Sequence, residues 1–227
     1  MKYAFFDVDN TLYQGYSASE LIHTVADTFA RPELTKQHSQ VVEDYFQHKT
    51  SYNAMSQVVL DLASEAVSGM NPQEVQALVR EMLQQKPTLF AAWVREVMDY
   101  LNAESYRTVL VSGGPDVVIQ ELARLVGSDE WYATEITMDQ GVYTGQKTKI
   151  LNELAKAELI TSLLAKQSPT RTIAFGDSPG DVPMLELADT AFVAKSDHHP
   201  EMLRYAQERN WTVFETAEEV ITKVKIL

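Results

Sequence analysis

The sequence predicts an α/β fold in which a parallel sheet carries helices on both faces and one all-helical segment interrupts the alternation. Short runs rich in β-branched and aromatic residues recur along the 227-residue chain, each followed by a turn signal. Segments with helical apolar spacing fill most of the gaps between them. The stretch from Tyr13 to Pro87 holds no strand-like run. Strands alternating with helices imply a parallel sheet covered on both sides.

Taken in order, Tyr3-Ala4-Phe5-Phe6 reads as a buried first strand. The insert follows with three apolar stripes: Leu21, Ile22, Val25, Ala26 and Phe29; then Met55, Val58, Val59, Leu62 and Ala66; then Val75, Leu78, Val79, Met82 and Leu83. Asn71 caps the third, with Pro72 in its first turn. Phe90, Val94, Val97, Met98 and Leu101 form a crossover helix back to the sheet. Arg107–Val111 is the second core strand, and Val118, Ile119, Leu122, Leu125 and Val126 form a helix that Gly127 stops. Ala133 to Thr144, with Asp139-Gln140-Gly141 in its middle, predicts a strand and hairpin. Ile150, Leu151 and Leu154 begin a helix that Lys147 and Lys149 open. Residues 171–175, 190–194 and 211–214 are further strands, and Thr216 with Glu219 makes a capping box for the last helix. The expected organisation is a core of residues 1–12 and 88–227 with a helical cap at 13–87.

Composition narrows the function. With 19 basic and 32 acidic residues the net charge is −13, which speaks against a nucleic-acid binder. The chain has no cysteine, so disulfides and thiolate metal sites are excluded. No apolar run approaches the ~20 residues of a membrane helix. Asp7 cuts the first apolar run too early for a signal peptide. The expectation is a cytoplasmic protein without a membrane or nucleic-acid partner.

Chemistry is expected at the carboxyl ends of the strands, where open parallel sheets form their ligand crevice. Asp7 and Asp9 follow the first strand, two apart, and would point the same way. Two carboxylates so close repel unless a cation or a shared proton intervenes. A divalent ion answers that, and Mg²⁺ prefers oxygen ligands. The pair therefore suggests a metal-assisted carboxylate nucleophile with a second Asp for acid/base work. Ser112-Gly113-Gly114 precedes Pro115 at a helix start, where amides and the helix dipole suit an anion. Asp177 and Asp181 again set carboxylates beside glycines; Asp177 could complete a metal site with Asp7, and Asp181 could hold a lysine or simply cap a helix. Lys147 or Lys149 could neutralise a nucleophile and a phosphate together. His198-His199 reads as a solvated loop.

The order Asp7-x-Asp9-x-Thr11, Ser112-Gly113, Lys, then Gly176-Asp177-x-x-x-Asp181 resembles the haloacid-dehalogenase-type phosphohydrolases, in their phosphoserine-phosphatase-like branch. The resemblance implies a Rossmann-like core, a helical cap after the first strand, and Mg²⁺-dependent hydrolysis of a small phosphorylated metabolite. It implies Asp7 as the nucleophile that becomes an aspartyl-phosphate and Asp9 as the proton donor and then base. Mg²⁺ would be held by Asp7, the Asp9 carbonyl and Asp177, and phosphate by Ser112 and Gly113. Thr144-Gly145 favours Lys147 over Lys149 as the motif lysine, with Asp181 supporting it. A phosphotransferase using the same intermediate, or a non-catalytic phospho-ligand binder, are the alternatives. Tyr16 stands where phosphoserine phosphatases carry a Glu, and no Arg lies between Arg31 and Arg80. This points away from phosphoserine. Tyr13, Gln14, Tyr16, Ser17 and Glu20 are expected to line the pocket, and aromatics with one acid suit an amine or quaternary ammonium group.

Overall fold

The computed structural model describes residues 1–86, 88–196 and 199–227. Pro87, the expected end of the insert, and His198 lie outside the described residues. The chain runs from β1 (Lys2–Phe6) into four helices, α1 (Ser17–Thr28), α2 (Pro32–Phe46), α3 (Tyr52–Ala66) and α4 (Pro72–Gln84). α5 (Val94–Ala103) leads to β2 (Tyr106–Pro115), and α6 (Asp116–Val126) to β3 (Glu130–Thr134). β4 (Ile136–Asp139) and β5 (Val142–Lys147) form an antiparallel hairpin. α7 (Glu153–Gln167) and β6 (Arg171–Gly176) follow, then a 3₁₀ turn at Pro179–Asp181 running into α8 (Val182–Glu186). β7 (Thr190–Ala194), α9 (Glu201–Arg209), β8 (Thr212–Phe214) and α10 (Ala217–Lys225) complete the described fold.

The main sheet has the order β3-β2-β1-β6-β7-β8, and every neighbouring pair is parallel. β1 lies between β2 and β6, so the connections leave it toward opposite edges. Beyond its carboxyl end the loops diverge and open a crevice.

Side chains alternate across the sheet and feed two apolar layers. Ala4, Phe6, Leu110, Phe175 and Phe192 face α5, α6 and α10, whereas Tyr3, Phe5, Val109, Val111 and Val193 face α7, α8 and α9. Phe6 pairs in register with Phe175, and Phe175 with Phe192, so three rings stack across three strands at 4.4 and 4.8 Å. Burying such a side chain is worth about 1.5–3 kcal/mol. Loss of the central ring would therefore loosen the strands that carry the site.

α1 packs against α2, α3 and α4, while α3 meets β5 and α4 meets α6. Leu21, Ile22, Val59, Leu62, Val75 and Val79 join the same apolar cluster as Val118 and Leu122 of α6. Asn71 forms a full capping box with Glu74, and Thr216 one with Glu219. Gln140 and Gly141 both take positive φ, 48° and 84°, as a two-residue hairpin turn requires.

Three elements differ from the sequence expectation. α2 carries no stripe that marks it, because it buries only Leu34 and His38. β3 is a separate edge strand of half-buried residues, distinct from the hairpin with which its end was joined. The helix expected to open at Lys147 starts at Glu153, capped by the Asn152 side chain on Ala155 N–H, while Lys147 ends β5. Among the described residues no helix is long and apolar enough to cross a membrane.

Candidate active site

The loop after β1 is fixed by its own backbone. Asp7 N–H donates to Phe175 O at 2.9 Å and extends the ladder by one residue. The amides of Thr11, Leu12 and Tyr13 all converge on Val8 O at 2.9–3.2 Å. Asn10 takes φ 61°, a left-handed conformation that Asn tolerates. Buried Val8 and Leu12 anchor this turn and leave Asp7 and Asp9 at the crevice.

The two aspartates face different partners. Asp7 Oδ1 accepts from Lys156 Nζ at 2.6 Å, and its Oδ2 accepts from Thr11 Oγ1 at 3.3 Å. Asp9 accepts from Ser17 N–H at 3.1 Å and from Ser17 Oγ at 2.9 Å. Tyr16, the N-cap of α1, has no side-chain cap bond, so Asp9 supplies the acceptor at that helix start.

The cation at the site is Lys156, not Lys147. Lys156 Nζ lies 2.6 Å from Asp7 Oδ1 and 2.8 Å from Asp181 Oδ1, with the side chain almost fully enclosed. Lys147 instead ion-pairs with Asp61 of α3, and Lys149 sits 3.9 Å from Glu158. The extension of β5 carries Lys147 away, and the Asn152 cap delays the helix until Lys156 is in its first turns. Lys156 and Ile160, four apart, are the two buried residues of α7. That pairing on one face, behind a readable Asn cap, is the signal by which the sequence could have found it.

Ser112, Gly113 and Gly114 lie where the β2–β3 pairing jumps from Val111–Tyr132 to Pro115–Thr134. Ser112 Oγ accepts from Gly114 N–H at 3.0 Å, which leaves its hydroxyl proton to donate elsewhere. A Cβ on Gly114 would come within 2.3 Å of Ser17 Oγ, so glycine is required for α1 to approach this loop. Asp177 Oδ1 accepts from Thr11 Oγ1 at 2.8 Å. Asp181 accepts from Ser178 N–H, Ser178 Oγ and Asp177 N–H as well as from Lys156. It therefore caps a turn and holds the lysine at once.

Burial sets the electrostatics. It pushes the Asp7 carboxyl up to about 6, with Asp181 adding to the rise and Lys156 opposing it. Asp9 is pushed up to about 7 by burial and by Asp7, against the two Ser17 donors. Asp177 is pushed up to about 8 by burial, Asp181 and Asp7. Burial works to lower the Lys156 pKa, but Asp181 and Asp7 raise it further, so it stays charged.

Carboxylate oxygens of Asp7, Asp177 and Asp181 lie within 4.8 Å of one another. Lys156 is shared by Asp7 and Asp181, so one cation faces three carboxylates and the cluster still demands positive charge. An all-oxygen, buried, acidic donor set fits a hard divalent cation. The Asp9 side chain is turned to Ser17 and lies outside this cluster.

These groups floor a cleft of about 540 Å³ whose lining includes Asp7, Asp9, Ser112, Gly113, Lys156, Asp177 and Asp181. Of the five pocket residues expected after the first strand, only Tyr16 lines it. Tyr13 is fully buried and its hydroxyl donates to Glu20. Lys86 pairs with Glu20 and lies 4.6 Å over the Tyr13 ring. Tyr13 and Glu20 thus clasp the two chain crossings between sheet and helices, where Gln14 N–H also bonds Leu89 O at 3.1 Å. The outer wall is built instead by Tyr45 and Phe46 of α2 and Tyr52 of α3, which the sequence did not single out.

The chain is similar to known proteins over most of its length. The family model described as haloacid dehalogenase-like hydrolase matches residues 4–186. A phosphoserine phosphatase of Mycobacterium tuberculosis is 28% identical, covering 92% of this chain and 69% of its own. The phosphoserine phosphatase of Methanocaldococcus jannaschii is 24% identical, covering 86% of each. Among solved structures, a Bordetella pertussis protein of unknown function superposes with TM-score 0.78 at 23% identity, covering 94% of this chain and 97% of that one. A substrate-bound phosphoserine phosphatase superposes with TM-score 0.69 at 16% identity over 98% of each chain. With its matched span reaching from the first strand through the turn of Asp181, this chain belongs to the haloacid dehalogenase-like hydrolases and is phosphoserine-phosphatase-like within them.

Proposed function

We propose that this chain is a Mg²⁺-dependent phosphatase that hydrolyses a small phosphate monoester through an aspartyl-phosphate on Asp7. The observation that carries the reading is Asp7 itself. It is a buried carboxylate at the sheet's switch point, bonded by Lys156 and opening on a cleft that also holds Asp9 and Ser112.

An Asp7 oxygen attacks phosphorus while the bond from phosphorus to the leaving alcohol breaks. The departing oxygen takes its proton from Asp9. A carboxyl pushed up to about 7 holds that proton near neutral pH and can then accept one. Water next attacks phosphorus, gives a proton to Asp9, and releases inorganic phosphate and free Asp7. Ser112 Oγ–H and the Gly113 amide hold phosphate oxygens, and Lys156 offsets their charge. Asp181 positions Lys156 through their 2.8 Å contact. Asp7, Asp177 and the Asp9 carbonyl would hold Mg²⁺, which supplies charge neutralisation at the phosphoryl oxygens when bound. Uncatalysed monoester hydrolysis is so slow that enzymes accelerate it by up to ~10²¹-fold, mostly through positioning and electrostatics. The helices between 13 and 87 serve as the cap that closes the cleft against water.

The test is phosphate release from a panel of small monoesters, with Mg²⁺ or with EDTA, in wild type and Asp7→Asn. Metal-dependent release lost in the variant is the expected result. Equal release by pure Asp7→Asn protein would overturn the mechanism.

A further inference from the structure

We propose that the cleft selects a phosphorylated amino alcohol whose substituted ammonium group rests against Tyr16, Tyr45, Phe46 and Tyr52. This rests on the phosphatase reading for the phosphate end and adds the chemistry of the leaving alcohol.

Four aromatic residues from three separate places converge on one cleft: Tyr16 before α1, Tyr45 and Phe46 at the end of α2, and Tyr52 at the start of α3. Tyr16, Phe46 and Tyr52 keep 43, 72 and 44% of their surface exposed, so the helical packing does not consume them. Tyr45 and Tyr52 meet edge to face with centroids 6.0 Å apart, and Tyr45 and Phe46 lie at 5.5 Å. A cation is attracted to a ring face within about 6 Å of the centroid, so a group resting in the corner that the steeply inclined rings of Tyr45 and Tyr52 form meets a ring face. Tyr52 lines the same cleft as Asp7 and Asp9, so this ring shares the space above the reacting carboxylates.

Charge separates an ammonium from other occupants of an aromatic wall. Among the described lining residues Lys156 is the one lysine, and it is taken by Asp7 and Asp181. Among the described residues no arginine lines the cleft. Burial and then His23 hold the His38 pKa below the usual imidazole value, and His199 faces Glu201 at 3.3 Å. Glu153 adds an acid at the rim, where Asn53 donates to it at 3.3 Å. A carboxylate on the leaving alcohol would find no cation here. A positive group would gain both the acidic floor and the ring faces.

The test is calorimetric titration of the wild-type chain, with Mg²⁺ present, against three phosphonates that cannot be cleaved. One carries a trimethylammonium group, one has a tert-butyl group in its place, and one is the phosphonate analogue of phosphoserine. The ammonium ligand should bind about tenfold more tightly than its uncharged isostere, and the carboxylate ligand most weakly. Tyr45→Leu and Tyr52→Leu should each cut that ratio several-fold, while Tyr52→Phe, which keeps the ring, should preserve it. The ratio is internal to each variant, so it is unaffected by partial loss of folded protein. Equal binding of the two isosteres, tightest binding of the carboxylate ligand, or no binding of any would overturn the proposal. Phosphate release from the corresponding esters reads the phosphatase reaction separately.

Discussion

The floor and the outer wall of the cleft are built on opposite principles. The floor is a closed network of charges: Asp7, Lys156, Asp181, Asp177 and Thr11 are all buried and bonded to one another. The wall is a set of half-exposed aromatic rings on helix ends. A buried charge network tolerates no missing member, because each deletion strands a desolvated partner. Rings on an open wall contribute area and a π-face, and exchange more freely. Under the proposed function, the difference assigns reaction to the floor and selection to the wall.

The largest effect expected from breaking the floor is Asp7→Asn, which should lower turnover by ~10³-fold or more while circular dichroism stays native. Retained turnover would move the chemistry off Asp7. Next, Lys156→Met should lower kcat by ~10²-fold. Lys147→Ala, which removes an enclosed stem and its contact to exposed Asp61 but nothing that lines the cleft, should change kcat by no more than about twofold. Equal losses in the two variants would mean that the α3–β5 contact matters as much as charge at the site. Third, Glu20→Leu strips Lys86 and the Tyr13 hydroxyl of their shared partner, and should cost about 1–3 kcal/mol in a denaturant melt. Substrate preference should stay as in wild type. A changed preference would return Glu20 to the pocket.

The smallest effect concerns Asp116, which accepts from Ile136 N–H at 3.2 Å and whose carboxyl burial pushes up to about 6. The folded chain then holds this proton to higher pH than the unfolded chain, where a carboxyl titrates near ~4. Its contribution to stability therefore falls as pH rises from about 4 to about 6. Asp116→Asn should remove that decline and gain ~1–2 kcal/mol at neutral pH, read from melts across the window. An unchanged pH slope would mean that the α6 N-terminus already compensates the charge.

Much of the molecule was legible before its structure. Strand runs such as Arg171–Phe175 and Thr190–Ala194, the Asn71 and Thr216 caps and the Gly127 stop are local signals, and local physics reproduces them. α2 was hidden because it lies on the surface of the helical layer and buries two residues, which leaves no stripe to read. At the site, Asp7, Asp9, Ser112, Asp177 and Asp181 were readable as acids and small residues at strand ends.

Lys147 was misplaced for a physical reason. A lysine's stem is long, and sequence spacing alone does not say which of three lysines before and within a helix points inward. The length of β5 and the position of the Asn152 cap decide that, and both depend on pairing with β4 and on the tie from Leu151 N–H to Thr134 Oγ1. Tyr13 and Glu20 were placed in the pocket by proximity to Asp7, whereas the sheet-to-helix crossing turned both inward to clasp Lys86.

The sequence by itself determined the α/β architecture, the helical interruption and the acidic residues at the strand ends, because periodicity, caps and strand-end residues act over a few positions. Only the tertiary structure decided which lysine meets Asp7 and which aromatics face the cleft. Those contacts join residues as far apart as Asp7 and Lys156, and they exist only once parallel pairing and helix packing bring the elements together.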